Sequence, residues 1–152
     1  MKKLLFTLLA LFLCSPLCFA FNYQSSCHYL DSIKGLSTSG DSMGCMSNYK
    51  MLDSYRSNLA YYTEGSTSYI NDVYLVLNVY NGSNKASVHN SLIQASKLLC
   101  KKAINYDLPQ SIITSLQTGK AGAWKHGKYT IKVTRENFPS GNGYEVHFKI
   151  EE

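Results

Sequence analysis

The stretch YINDVYLVLNVY, residues 69–80, decides the fold class because its apolar residues fit two different periodicities. The helical set is Ile70, Val73, Leu77 and Tyr80, and the alternating set is Val73, Leu75, Leu77 and Val79. The first spacing is typical of one helix face and the second of a half-buried strand. Because Ser66 to Ser68 offer helix caps and both neighbouring segments have helical spacing, the sequence predicts a helix here.

Two further helices are predicted before this stretch. A short one begins at Ser25 or Ser26 and ends before Gly35. Asp41 or Ser42 caps a longer one, whose apolar residues are spaced by threes and fours. That stripe consists of Cys45, Tyr49, Leu52, Tyr55, Leu59 and Tyr62. Residues 36–44 between them are rich in Ser, Gly and Asp, which indicates a loop.

The clearest helix follows, over residues 86–105. Its apolar face consists of Val88, Leu92, Ala95, Leu99 and Ala103. A shorter helix over 112–116 comes next, because Pro109 suits a first helical turn and Gly119 ends the pattern.

After Gly119 the apolar spacing changes to two, which indicates a C-terminal β-hairpin. Residues 129–134 and 144–150 alternate in polarity, and the turn-forming residues 138–143 separate them. An isolated hairpin is marginal in water, so its apolar face is expected to lie on the helices, with Trp124 filling the contact.

The fold class predicted from these elements is α+β. We expect an N-terminal helical body of about four to five helices with the antiparallel hairpin packed on it. Residues 21–152 are long enough for a single domain with its own core, and we find no repeat or linker that divides them.

Residues 1–20 have the features of a cleaved signal peptide. Lys2 and Lys3 precede an apolar run over 4–13, and Cys18 and Ala20 place small residues before a cleavage site. The run is about half the length that a membrane-spanning helix needs, so no stable membrane anchor is expected after cleavage. The sequence therefore predicts a periplasmic protein or, as the alternative, one secreted outside the cell.

The charge argues against nucleic acid as a partner. Loss of Lys2 and Lys3 with the leader lowers the formal net charge from +5 to +3, and the remaining basic residues are scattered. All 12 tyrosines lie in the mature part of the chain. Tyrosine combines apolar area with a polar tip, as at many contact surfaces, although it also fills the rims of cores.

Three cysteines remain after the leader is removed, so one internal disulfide at most is expected. Cys27–Cys45 closes the shortest loop and is the favoured pair, which leaves Cys100 as a buried thiol. Cys45–Cys100 is the alternative pair, and a bond between molecules through the leftover cysteine is a further one.

No catalytic motif is found in the sequence. Gly-x-Ser-x-Gly, Ser-x-x-Lys and His-Glu-x-x-His are all absent, and no histidines have metal-ligand spacing. Cys27 and His28 are neighbours, but adjacent residues on a helix point about 100° apart, which argues against a nucleophile–base pair. We therefore predict no catalytic residue, no metal and no cofactor.

The polar face of the hairpin is the candidate surface for a partner. It consists of Thr130, Lys132, Thr134, Glu145, His147 and Lys149. An ordinary solvated sheet face is the simpler interpretation of these residues, and addition of a strand from a partner at the hairpin's edge is the functional one.

These features favour a non-enzymatic bacterial accessory or binding protein of the envelope. Its expected partner is another envelope or secreted protein, in a machine for pilus biogenesis or secretion with a role in virulence. An immunity or inhibitor protein against a periplasmic toxin is the first alternative, and a small secreted hydrolase is the second.

Overall fold

The computed structural model describes residues 21–66 and 68–152, so the predicted signal peptide lies outside the described residues. Within these ranges the chain forms three helices and eight strands, and all eight strands belong to one antiparallel sheet. In chain order the elements are α1 (Tyr23–Cys27), β1 (Thr38–Asp41), β2 (Gly44–Ser47), β3 (Lys50–Met51), β4 (Asn58–Gly65), β5 (Ile70–Tyr80), α2 (Lys85–Ile104), α3 (Gln110–Thr118), β6 (Gly122–His126), β7 (Tyr129–Asn137) and β8 (Gly143–Glu151). The order across the sheet is β1-β2-β4-β5-β8-β7-β6, and β3 also pairs with β4.

The predicted helical body with a C-terminal hairpin is therefore wrong, and the fold is mainly β. The decisive error concerns residues 69–80, most of which form strand β5. Val73, Leu75, Leu77 and Val79 are all fully buried, so the period of two is the one that the core selects. β5 lies between β4 and β8, where each of its neighbours supplies hydrogen bonds along the strand.

The long helix predicted from Asp41 onward is also wrong, because the region forms the β1–β2 hairpin followed by β3 and β4. The Asp41 carboxylate accepts a hydrogen bond from the Met43 N–H at 2.8 Å, so it stabilises a turn and does not cap a helix. The predicted stripe does not share one face, because Leu59 is buried while Tyr49 and Tyr55 are exposed. The short helix predicted between Ser25 and Gly35 is reduced to α1, which Asn22 caps.

The helices predicted over 86–105 and 112–116 are confirmed as α2 and α3. Asn84 caps α2 through its side chain, and Asn105 ends it in the left-handed conformation. The C-terminal hairpin is confirmed as β7 and β8, with Ile131, Val133 and Phe148 fully buried. β6 is an additional strand that pairs with β7 and carries the half-buried Trp124 against the core.

The core lies between the two helices and one face of the sheet. α2 packs on β4 and β5, α3 packs on β7, and the two helices contact each other. The other face has no helix over it in the described part of the chain, and we call it the open face. The open-face side chains of the four central strands are those of the even-numbered residues of β4, of β5 from Asp72 onward and of β7, and the odd-numbered residues of β8.

None of the helices in the described ranges has the length and apolar character needed to cross a membrane.

Candidate binding surface

The predicted disulfide Cys27–Cys45 is confirmed, and the alternative pair Cys45–Cys100 is wrong. The two Cα atoms lie 5.6 Å apart, and the bond joins the last residue of α1 to β2. Cys100 is a free, fully buried thiol, and burial raises its pKa to about 12. A thiol that is buried and protonated is poorly placed for a bond between molecules.

Three further contacts hold the β1–β2 hairpin in place beside the disulfide. The Tyr23 hydroxyl donates to the Asp41 carbonyl at 3.0 Å, and the Cys45 N–H donates to the Thr63 hydroxyl at 2.8 Å. Gly44 has a φ of +150°, and a Cβ there would lie 2.2 Å from the Thr63 carbonyl oxygen. The close approach of β2 to β4 therefore needs glycine at this position.

Several methionine and tyrosine side chains of residues 43–51 are exposed next to this hairpin. Met43, Met46, Tyr49 and Met51 are between 53% and 72% exposed. Met46 is the cross-strand partner of Tyr62, and Met51 is that of Asn58, so both methionines lie on the open face. We call the set of Met43, Met46, Tyr49, Met51, Tyr62 and Tyr74 the Met/Tyr patch.

Tyr62 and Tyr74 form the floor of the patch. They are cross-strand partners, and their rings stack with centroids 5.2 Å apart. Burial raises the pKa of Tyr62 to about 12, and the neighbouring Tyr49 side chain contributes to the shift. Burial also raises the pKa of Tyr74, whose hydroxyl donates to Glu64 at 2.8 Å. Both phenols therefore remain neutral at physiological pH.

A shallow pocket of about 280 Å³ opens at the edge of the patch. Met43, Met46 and Tyr62 line it on one side, and β1 lines it on the other. An aromatic floor with movable thioether side chains around it suits an apolar side chain inserted from a partner, because methionine adapts its shape at low cost.

All six residues of the predicted hairpin face lie on the open face, as expected from their alternation. Thr134 is exposed and the other five are half-buried. Their charges are largely paired within the molecule: Lys149 lies 2.7 Å from Asp72, His147 lies 3.0 Å from Glu145, and Lys132 contacts Glu151. The Lys149 ammonium is also 5.7 Å from the Tyr74 ring centroid, so this face borders the Met/Tyr patch.

The hairpin keeps one short free edge where a strand could be added. β8 pairs with both β5 and β7, but β6 pairs only with residues 129–133 of β7, so residues 134–137 have no strand on that side in the described part of the chain. Partner binding by this face, through its side chains or through this edge, stays a prediction.

The residues that the sequence suggested for catalysis or metal binding lie as follows. Cys27 is consumed by the disulfide, and His28 lies 2.7 Å from Asp31. Within the described ranges, no group of three His, Cys, Asp or Glu side chains is arranged to hold a metal ion.

One buried polar pair escaped the sequence analysis. His89 on α2 lies 2.5 Å from the Leu116 carbonyl through Nδ1 and 2.9 Å from the Tyr144 hydroxyl through Nε2. A carbonyl only accepts, so Nδ1 carries the proton and Nε2 accepts from Tyr144. These bonds tie α2 to α3 and β8, and they occupy both ring nitrogens inside the fold. Because His89 and Tyr144 are 55 residues apart, the sequence contains no local signal for their contact.

The Met/Tyr patch was also missed, although the sequence contains a signal for it. The tyrosine content indicated a contact surface, but the three methionines at 43, 46 and 51 lie close together in the sequence and were not considered. The common face of Met46 and Met51 depends on the pairing of β2 and β3 with β4, and the helix predicted here gave no indication of that pairing.

No protein-family model, no curated protein and no solved structure matches this chain.

Proposed function

We propose that this protein is a non-enzymatic binding protein of the bacterial envelope that docks another extracytoplasmic protein on its Met/Tyr patch. The observation that carries the proposal is the exposure of four Met and Tyr side chains within residues 43–51, of which Met46 lies directly across from the stacked tyrosine pair. Monomeric proteins rarely expose a large contiguous apolar surface unless it binds something. Tyrosine and methionine are also enriched at the centres of protein interfaces.

The partner is expected to present an apolar and weakly charged surface. Charged side chains beside the patch are already paired, as Lys149 with Asp72. The two floor tyrosines are neutral, and the Tyr74 hydroxyl is already bonded to Glu64. A strongly charged partner would find little electrostatic complement here, whereas an apolar side chain would enter the pocket next to Met46.

The location in the envelope is supported by two features of different kinds. Residues 1–20 have the pattern of a cleaved leader. The Cys27–Cys45 disulfide is compatible with an oxidising compartment. We place the protein in the periplasm, as an accessory to a machine of pilus biogenesis or secretion.

Photo-crosslinking in living cells tests the docking surface. A photoreactive amino acid at Met46 is expected to give one defined adduct with a partner, which is then purified. The same amino acid at Tyr69 is the matched control, because Tyr69 is 50% exposed but lies in the turn after β4, outside the patch.

Binding to the purified partner then measures the contribution of the patch. Met46→Ser together with Tyr49→Ser is expected to weaken binding by at least about tenfold, since removing an interface anchor costs over about 1 kcal/mol. Tyr69→Ser is expected to retain wild-type affinity. Equal affinity of both variants, or an adduct formed only from Tyr69, would show that the patch is not the docking surface.

A further inference from the structure

A second pocket lies at the opposite side of the sheet from the open face, where α2 begins. It has a volume of about 310 Å³ and is open to solvent. Its walls come from the turn before α2, the first residue of α2, the end of β7 and the start of β8. The side chains used below are those of Asn81, Lys85, Arg135, Asn137 and Tyr144.

Two cations converge on this pocket without a carboxylate to neutralise them. The Arg135 guanidinium lies 3.7 Å above the Tyr144 ring centroid, and the Lys85 ammonium lies 6.0 Å from the same centroid. Neither Lys85 nor Arg135 forms an ion pair with a carboxylate in the described part of the chain. Among the described residues, the side chains that line the pocket include no acidic one.

The guanidinium is held in place but keeps most of its donors available. Stacking on Tyr144 fixes its plane, and one nitrogen lies 3.5 Å from the Asn137 side-chain oxygen. The Tyr144 hydroxyl is occupied by His89, so the ring acts as a platform and not as a donor. A planar, oriented guanidinium is suited to a two-point contact with an oxyanion.

The start of α2 adds to the positive character of the site. α2 has 20 residues, and its first turn contains no acidic side chain and begins with Lys85. A cation at a helix N-terminus is unfavourable, since the helix dipole already places positive charge there. A bound anion would relieve this repulsion.

The charges of the two cations affect His89, which is buried nearby. The pKa of His89 is lowered, first by burial, and the charges of Arg135 and Lys85 add to the effect. Both cations therefore lie close enough to His89 to disfavour its charged form.

We propose that this pocket binds the phosphoryl group of a phosphate monoester. Arg135 and Lys85 neutralise the two charges of the group, and the Asn81 and Asn137 amides border its oxygens. A dianion gains more from two cations and a helix N-terminus than a single carboxylate does. The pocket is wide enough to leave room for the first atoms of the molecule that carries the phosphate.

Titrations of the full-length exported protein followed by NMR test the assignment. Inorganic phosphate and glycerol phosphate, at constant ionic strength, are expected to shift backbone signals near Lys85 and Arg135. Arg135→Gln and Lys85→Gln are each expected to raise the dissociation constant by at least about tenfold, as for loss of a charge-assisted hydrogen bond. Lys97→Gln is the matched control, because Lys97 is an exposed lysine of the same helix and its change alters the net charge equally.

Two sources of the phosphoryl group are separated by a vesicle assay. Sedimentation with vesicles of phosphatidic acid in phosphatidylcholine, lost in Arg135→Gln, identifies a lipid headgroup. Binding of glycerol phosphate without sedimentation identifies a small phosphorylated compound.

Three results would overturn the proposal. The first is an absence of ligand-induced shifts at these residues, and the second is phosphate binding of equal strength in all four proteins. The third is acetate binding as tightly as phosphate, which would show a general anion site. Because Arg135→Gln also removes packing on Tyr144, Lys85→Gln, at an exposed position, keeps the test valid if the first variant fails to fold.

Discussion

At the scale of single residues, hydrogen bonds from polar side chains hold separate parts of the fold together. His89 is the clearest example, since its ring joins α2, the end of α3 and the first residues of β8 through two hydrogen bonds. The neutral ring is required for this role, because Nε2 must accept a hydrogen bond from the Tyr144 hydroxyl. Arg135 and Lys85 stand on the other side of Tyr144 and disfavour a charge on the imidazole.

The pKa of His89 predicts a pH dependence of stability. Burial, with the two nearby cations, lowers this pKa below 6.5 in the folded protein, so the unfolded chain takes up the proton first as the pH falls. The stabilisation by neutral His89 is complete above pH 6.5 and is lost as the pH falls from there through the folded-state pKa. The loss is at most about 1.4 kcal/mol per pH unit for one proton.

Urea denaturation at pH 7.5, 6.5 and 5.5 measures this effect. His89→Gln is expected to show a smaller decrease in unfolding free energy toward pH 5.5 than the wild type. Lys97→Gln, at an exposed position of the same helix, is the control and is expected to keep the wild-type decrease. An unchanged decrease in His89→Gln would refute the assignment.

At the scale of elements, local patterns were sufficient where one periodicity fitted and failed where two did. α2 and the β7–β8 hairpin were predicted because Val88, Leu92 and Leu99 repeat at one spacing and Ile131 and Val133 at the other. The error in residues 45–80 arose because apolar residues spaced by threes and fours were read as a helix, whereas successive residues there lie on opposite faces of a sheet. Tyr61 is fully buried and donates to the Ser26 carbonyl, whereas its neighbour Tyr62 lies on the open face.

The Cys27–Cys45 disulfide links the β1–β2 hairpin covalently to α1. Its removal is therefore expected to weaken this hairpin more than the rest of the fold. Its partners are 18 positions apart, and closure of a loop of that length contributes about 3 kcal/mol in the chain-entropy model. The double variant Cys27→Ser, Cys45→Ser is therefore expected to lose about 3 kcal/mol of unfolding free energy. Amide hydrogen exchange is expected to accelerate first in β1 and β2.

Reductant provides the internal control for this experiment. Wild type in reductant is expected to match the double variant, and Cys100→Ser without reductant is expected to keep the slow exchange of β1 and β2, since Cys100 makes no disulfide. If oxidised wild type and the double variant unfold at the same urea concentration, the disulfide adds no stability.

At the scale of the whole molecule, the arrangement of the sheet depends on pairings that no local pattern contains. Val73 is the cross-strand partner of Ile150, and the two are separated by about half of the chain. The same distinction decides which binding surface could be predicted from the sequence. The hairpin face was predicted because its residues alternate along two adjacent strands, but the pocket of Lys85 and Arg135 joins segments about fifty residues apart, and only the folded chain brings them together.

The N-terminal end of the described fold gives a prediction about export. The Phe21 N–H donates to the Ile70 carbonyl at 2.9 Å, and the Ile70 N–H donates to the Phe21 carbonyl at 3.0 Å. The Phe21 ring is buried and stacks on Tyr129 with centroids 5.4 Å apart. Cleavage after Ala20 would leave an amino group that can still donate to Ile70.

The mass of the protein in the periplasmic fraction is expected to correspond to a chain that begins at Phe21. Ala20→Arg, which removes the small residue before the cleavage site, is expected to accumulate the uncleaved form at the membrane. Recovery of the wild-type chain from the cytosol with Met1 attached would contradict both the leader and the location.

The central position of β8 has a consequence for the timing of folding. β8 is the last strand of this sheet to be synthesised, yet it lies between β5 and β7. A partly synthesised chain therefore lacks the strand that joins the two halves, and pairings between distant segments form slowly. The complete sheet therefore forms only after the last strand has been made, and a chain without its complete sheet is easier to thread through a narrow translocation channel.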